Sequence, residues 1–110
     1  MNALKNKVQL IGRLGQDPEI ITFEGGTKIA RFSLAIDDSY KDKKGNKVER
    51  TYWHPVIVKN GLVKIVENYV VKGKEIAIEG KLTNRTWEDK EGNKHYITEV
   101  IANELLLMSK

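Results

Sequence analysis

The sequence predicts an all-β chain with a single short helix, and three observations carry that expectation. Apolar residues recur in period two along most of the 110 residues. One segment alone switches to a helical period. Turn-forming Gly-Gly and Gly-Asn pairs separate the alternating runs.

The first strand places Val8, Leu10, Gly12 and Leu14 on one face and Gln9, Ile11 and Arg13 on the other. A second strand pair follows, Ile20 to Phe23 and then Lys28 to Ile36, around the turn Glu24-Gly25-Gly26. In its second arm Ala30, Phe32, Leu34 and Ile36 alternate with Arg31, Ser33 and Ala35. A third strand is expected over Val48 to Val58, with Val56 and Val58 in core phase and Thr51, Trp53 and Ile57 opposite. From Gly61 to Val71 the residues Leu62, Ile65, Val66 and Tyr69 fall at i, i+3, i+4 and i+7, an amphipathic helix that Gly73 is placed to end. Ile76, Ile78, Gly80 and Leu82 then alternate with Ala77, Glu79, Lys81 and Thr83, and a last strand runs from His95 to Leu106.

Strand, strand, strand, helix, strand, strand is the order of the five-stranded Greek-key OB-fold barrel, whose helix lies between strands 3 and 4. An SH3-like barrel or a small sandwich usually lacks a helix there. The expectation is a single OB-fold domain over residues 1–110 without a C-terminal tail.

Composition excludes several classes. There is no cysteine, so disulfides, thiolate metal sites and cysteine nucleophiles are ruled out. No apolar run approaches the roughly 20 residues of a membrane-spanning helix, and a cytoplasmic protein is expected. The net charge is +4, a mild excess, but all of it sits in the first 60 residues.

Catalysis finds little support. His54 and His95 stand on different expected strands without further ligands at metal spacing. Asp37-Asp38 reads as the start of a loop, and no serine sits in a nucleophile elbow. Gly12-Arg13-Leu14-Gly15 and Glu24-Gly25-Gly26-Thr27 lack the lysine and helix of a phosphate loop. The chain is expected not to be an enzyme and to need no cofactor or metal.

The aromatic residues are more telling. Trp53 shares a strand face with Thr51, Trp87 continues the face of Lys81, Thr83 and Arg85, and Tyr40 lies among polar residues. An exposed tryptophan asks for a cover, either a subunit interface or a ligand. With Lys41, Lys43, Lys81, Arg85 and Lys90 interleaved, bases stacked on the rings and phosphates on the cations suit a single nucleic-acid strand of any sequence. Phe32 and Tyr69 are assigned to the core; Phe23, Tyr52 and Tyr96 to neither class. The hexapeptides Asp42 to Lys47 and Asp89 to Lys94 differ only at Lys44 versus Glu91, and each follows an aromatic two residues before its aspartate, Tyr40 or Trp87. Both read as hairpin tips in which Gly-Asn supplies positive φ, making two lysine-tipped fingers beside a groove.

The block Lys7-Val8-Gln9-Leu10-Ile11-Gly12-Arg13-Leu14-Gly15-Gln16-Asp17-Pro18-Glu19 resembles the opening of bacterial single-stranded DNA-binding proteins. So do Thr51-Tyr52-Trp53-His54, Tyr69-Val70-Val71-Lys72-Gly73, Ile78-Glu79-Gly80-Lys81-Leu82 and Arg85-Thr86-Trp87, in the family's order across nearly the whole chain. The resemblance implies a homotetramer wrapped by single-stranded DNA, acting in replication, recombination and repair. It places stacking at Tyr40 (commonly tryptophan in the family), Trp53 and Trp87, and a subunit contact at His54. Lys72 and Arg85 match basic positions near the DNA path. Together with Lys7, Arg13, Lys43, Lys59 and Lys81 they form the expected phosphate-binding set. Lys59 stands where the family often has a stacking phenylalanine, which implies a phosphate contact there instead. The family's acidic tip is absent from the sequence, so recruitment of enzymes through it is not expected. The competing expectation is a dimeric adaptor, like the short primosomal replication protein, working through protein partners.

Overall fold

The structure, a computed structural model, describes residues 5–108. Its frame is a ring of strands: β1 (Val8–Leu14), β3 (Lys28–Asp37), β6 (Thr51–Lys59), β7 (Glu75–Glu88) and β8 (Lys94–Leu107). β1 pairs antiparallel with both β7 and β3, β3 with β6, and β7 with β8, while β6 and β8 close the ring in parallel. This closed five-strand ring with one parallel seam is the OB barrel, and α1 (Leu62–Tyr69) lies between β6 and β7 as the periodicity predicts. The short β2 (Glu19–Thr22) folds back on β3 and extends that edge of the sheet.

Closing a ring from few strands requires sharp corners, and two glycines supply them. A Cβ on Gly12 would overlap the Ala35 carbonyl oxygen where β1 passes from β7 to β3. A Cβ on Gly80 would overlap the Ile101 carbonyl oxygen, beside the register shift at Glu79/Gly80.

Inside the ring the alternation holds. Leu34, Val56, Val58, Ile76 and Val100 are fully buried, with Phe32 and Ile78 beside them. The helix covers one end with Val63 and Val66. It is shorter than its sequence pattern: it ends at Tyr69, and Val70, already extended, fills the barrel mouth. Tyr69 is therefore exposed, which corrects its assignment to the core. Gly73 ends the turn that follows rather than the helix, with φ 86° and its N–H on the Leu14 carbonyl.

Two further corrections concern strands. The third is not continuous from Val48: β4 (Tyr40–Lys41) and β5 (Lys47–Val48) form a separate ribbon, and β6 begins at Thr51. Side-chain bonds compete with the ladder there, since Asp37 Oδ1 accepts from both the Ser39 amide and hydroxyl. Leu82, in core phase by sequence, is exposed because β7 and β8 run on as a hairpin beyond the barrel wall.

Candidate nucleic-acid interface

The two repeated hexapeptides build the same turn. In each, the aspartate amide donates to the asparagine carbonyl (Asp42 to Asn46, Asp89 to Asn93, both 2.9 Å), and the glycine amide returns to the aspartate carbonyl. Each aspartate Oδ1 accepts two amides at 2.9 Å, from Lys44 and Asn46 or from Glu91 and Asn93. Only the glycines take positive φ, 86° and 87°; the asparagines do not, which corrects the sequence reading. The turn is a three-residue connection with glycine in the left-handed region. The result is two fingers tipped by Lys43 and Lys90.

Between the second finger and the barrel lies a groove. Its first hollow, about 580 Å³, is bounded by Gly15 and Asp17 after β1, by Trp53 of β6, and by Arg85, Ile97 and Glu99 of the hairpin. A second hollow of about 650 Å³ shares Arg31, Arg85 and Glu99 with the first and is walled by Ile21, Phe23, Ile57, Lys59 and Ile101. The two hollows adjoin at these shared residues and together form one channel. Ile57, out of core phase, is buried beneath it.

The aromatic positions are open and individually held. Trp53 is 57% exposed, and its indole lies so close over Gly15 that a Cβ there would come within 2.5 Å of the ring. Trp87 is 42% exposed and lies near-parallel to the His95 imidazole (centroids 5.2 Å apart, 19° between planes), with the Arg85 guanidinium 5.0 Å from its centre. Tyr40, 44% exposed, has Arg50 at 4.9 Å from its ring; Arg50 also donates to the Tyr52 hydroxyl and pairs with Asp38. Those contacts, the Tyr52 bond foremost, raise the Arg50 pKa. His95 in turn bonds Asp89 at 2.9 Å, and this bond, with the turn amides, holds the Asp89 carboxyl below the usual carboxylate value. Trp87 is thus tied through His95 to the turn at the finger's tip.

The cationic positions divide. Lys59 and Arg85 line the channel. Lys43 tips the β4–β5 finger, and Lys81 stands exposed on β7 opposite Ile101. Lys72 donates its amide to Asp17 Oδ1 at 2.8 Å, next to the first hollow. Lys7 and Arg13 lie away from the channel and face carboxylates across β1 and β7: Lys7 with Glu79 at 3.7 Å, Arg13 with Glu75 at 3.9 Å and the Gly73 carbonyl at 3.1 Å. His54, half-buried opposite Leu34, lines none of these hollows.

Sequence reasoning missed Gly15, Phe23, Arg31, His95 and Glu99. A signal for two of them was present: once the turn centres on Asp89 to Asn93, counting outward sets Trp87 opposite His95 and Arg85 diagonal to Glu99.

The single-strand binding protein family model matches residues 5–108. The chain belongs to that family. It is 48% identical over 106 residues to a single-stranded DNA-binding protein of Xylella fastidiosa, covering 96% of this chain and 78% of the relative. It is 49% identical over 98 residues to the single-stranded DNA-binding protein of Rickettsia typhi, of which it spans 64%. Among solved structures it is similar to the Plasmodium falciparum family protein in complex with single-stranded DNA, with TM-score 0.85, 32% identity, and 99% and 100% of the two chains covered. Among the described residues no group of histidines and carboxylates could hold a metal, and no helix is long and apolar enough to cross a membrane.

Proposed function

We propose that this chain binds single-stranded DNA irrespective of sequence, without catalysis, as a homo-oligomeric OB-fold protein of the bacterial cytoplasm that protects strands during replication, recombination and repair. The observation that carries this reading is Trp53, an exposed indole fixed over Gly15 at the mouth of a channel whose Arg85 lies against the exposed ring of Trp87. A base gains roughly 1–3 kcal/mol by stacking on such a ring, whatever its identity, and lysines at the rim take the phosphates. Duplex DNA hides its base faces and gains only the second term.

Tyr40, Trp53 and Trp87 are the stacking residues in this account, and Lys43, Lys59, Lys72 and Lys81 the phosphate contacts. A tetramer with His54 at a subunit contact is the assembly proposed, and molar mass from light scattering distinguishes it from the dimer of an adaptor. Competition of unlabelled single strand against duplex for a labelled oligo-dT tests the binding reading. Strong preference for the single strand, equal across base compositions, is expected; equal competition by duplex contradicts it.

A further inference from the structure

The first hollow of the channel has an unexpected charge balance. Its lining carries Asp17, Glu19 and Glu99 against Arg31 and Arg85. Both guanidiniums are engaged: Arg31 pairs with Glu19 at 2.9 Å, and Arg85 forks onto Glu99 at 3.0 and 3.3 Å. A phosphate entering here meets three carboxylates and no free cation. By contrast, Lys43, Lys59 and Lys81 make no ion pair among the described residues.

Glu99 is 3% exposed, and a buried carboxylate is tolerated only when paired and hydrogen-bonded. Arg85 meets that need with Nε and one Nη, while its guanidinium carbon lies over the Trp87 ring, 5.0 Å from the ring centre. The guanidinium is held by Glu99 and by Trp87, its charge compensated, and stays half-exposed where Arg85 lines the groove. Such a group offers a base a stacking plane and a donor to its edge, but little net attraction for a phosphate.

We propose that Glu99 is a positioning residue that makes Arg85 a base contact instead of a phosphate contact, so that the strand lies bases-inward in the groove with its phosphates on the lysine rim. This rests on the single-strand reading and revises the role that sequence resemblance gives Arg85.

The test uses the full chain, oligo-dT carrying a fluorescent label, and anisotropy titrations over a range of salt. Each phosphate contact contributes about 0.7 to the slope of log affinity against log salt. Glu99→Gln keeps the shape and removes the compensating charge, so its slope is expected to steepen by about 0.7 as Arg85 becomes a free cation. The double variant Arg85→Ala/Glu99→Gln removes the whole neutral pair. It is expected to keep the wild-type slope while binding about fivefold or more weaker at every salt concentration. A double variant whose slope flattens by about 0.7 would overturn the proposal, and so would an unchanged slope in Glu99→Gln. If the single variant does not fold, the double variant decides alone, since it leaves no buried charge unpaired. Failure of the wild type to bind oligo-dT would overturn the single-strand reading, and the proposal with it, before any variant is measured.

Discussion

Arg85 and Glu99 face each other diagonally across the β7–β8 hairpin in a two-pronged ion pair, the carboxylate buried and the guanidinium open to the groove. The pair raises the Arg85 pKa, chiefly through the hydrogen bonds to Glu99. Its consequence is geometric: Arg85, which lines the first hollow with Trp53 and lies against Trp87, is fixed in orientation before any strand arrives. A preorganised surface avoids the ordering cost that a free arginine would incur on binding.

If Trp53 stacks on a base as proposed, Trp53→Ala weakens oligo-dT binding by about 1–3 kcal/mol, or roughly 5- to 150-fold. The salt slope should not change, because no phosphate contact is lost. Isothermal titration at two salt concentrations checks both parts.

Gly15 matters through the same ring. Its missing Cβ leaves the space the Trp53 indole occupies, at 2.5 Å. Gly15→Val should displace the ring without unfolding the barrel, shift the tryptophan emission of the free protein, and lower affinity by less than Trp53→Ala does. Emission spectra beside binding curves decide it.

Lys59 borders the apolar end of the channel, with Phe23, Ile57 and Ile101 nearby. Lys59→Ala should flatten the salt slope by about 0.7. Lys59→Phe should flatten it equally yet bind more tightly at high salt, since an aromatic there replaces a contact that salt weakens with a stack that it does not.

Gly80 is a barrel corner pressed on the Ile101 backbone. Backbone yields less than a side-chain tip, so Gly80→Ala is expected to cost about 1–3 kcal/mol of stability. Urea unfolding gives the difference; an unchanged midpoint would mean the corner relaxes freely.

Acid should loosen the second finger. The Asp89 carboxyl is held below its ordinary value near 3.8 by His95 and the turn amides. A depressed carboxylate contributes stability that is present above the unfolded-state value and lost as pH falls through the folded one. Melts from neutral pH down to pH 2 should therefore show an acid-limb loss below about pH 4 that is smaller in Asp89→Asn.

Much of the barrel was legible because a ring with one buried face imposes strict alternation: Val8 to Leu14 and Lys28 to Ile36 each show their inward residues without ambiguity. Tyr69 was misread because the helical stripe gives no sign of where the helix stops, and Val70 fills the place the pattern assigned to it. Leu82 was misread because alternation cannot tell a strand inside a barrel from one that runs past it. The exposed tryptophans were visible as rings out of phase with the core, and the structure leaves both rings open. What holds them was not visible: Gly15 under Trp53 and His95 beside Trp87 depend on strand crossing and register, which no single run of residues encodes.

Whether the exposed indoles meet bases is read by titrating intrinsic tryptophan fluorescence with oligo-dT, beside a duplex of equal length, at low and moderate salt. Strong quenching by the single strand and not by the duplex is expected, persisting at moderate salt because stacking is not screened. A folded protein whose emission does not respond to the single strand would place Trp53 and Trp87 against protein rather than DNA, and would contradict the account.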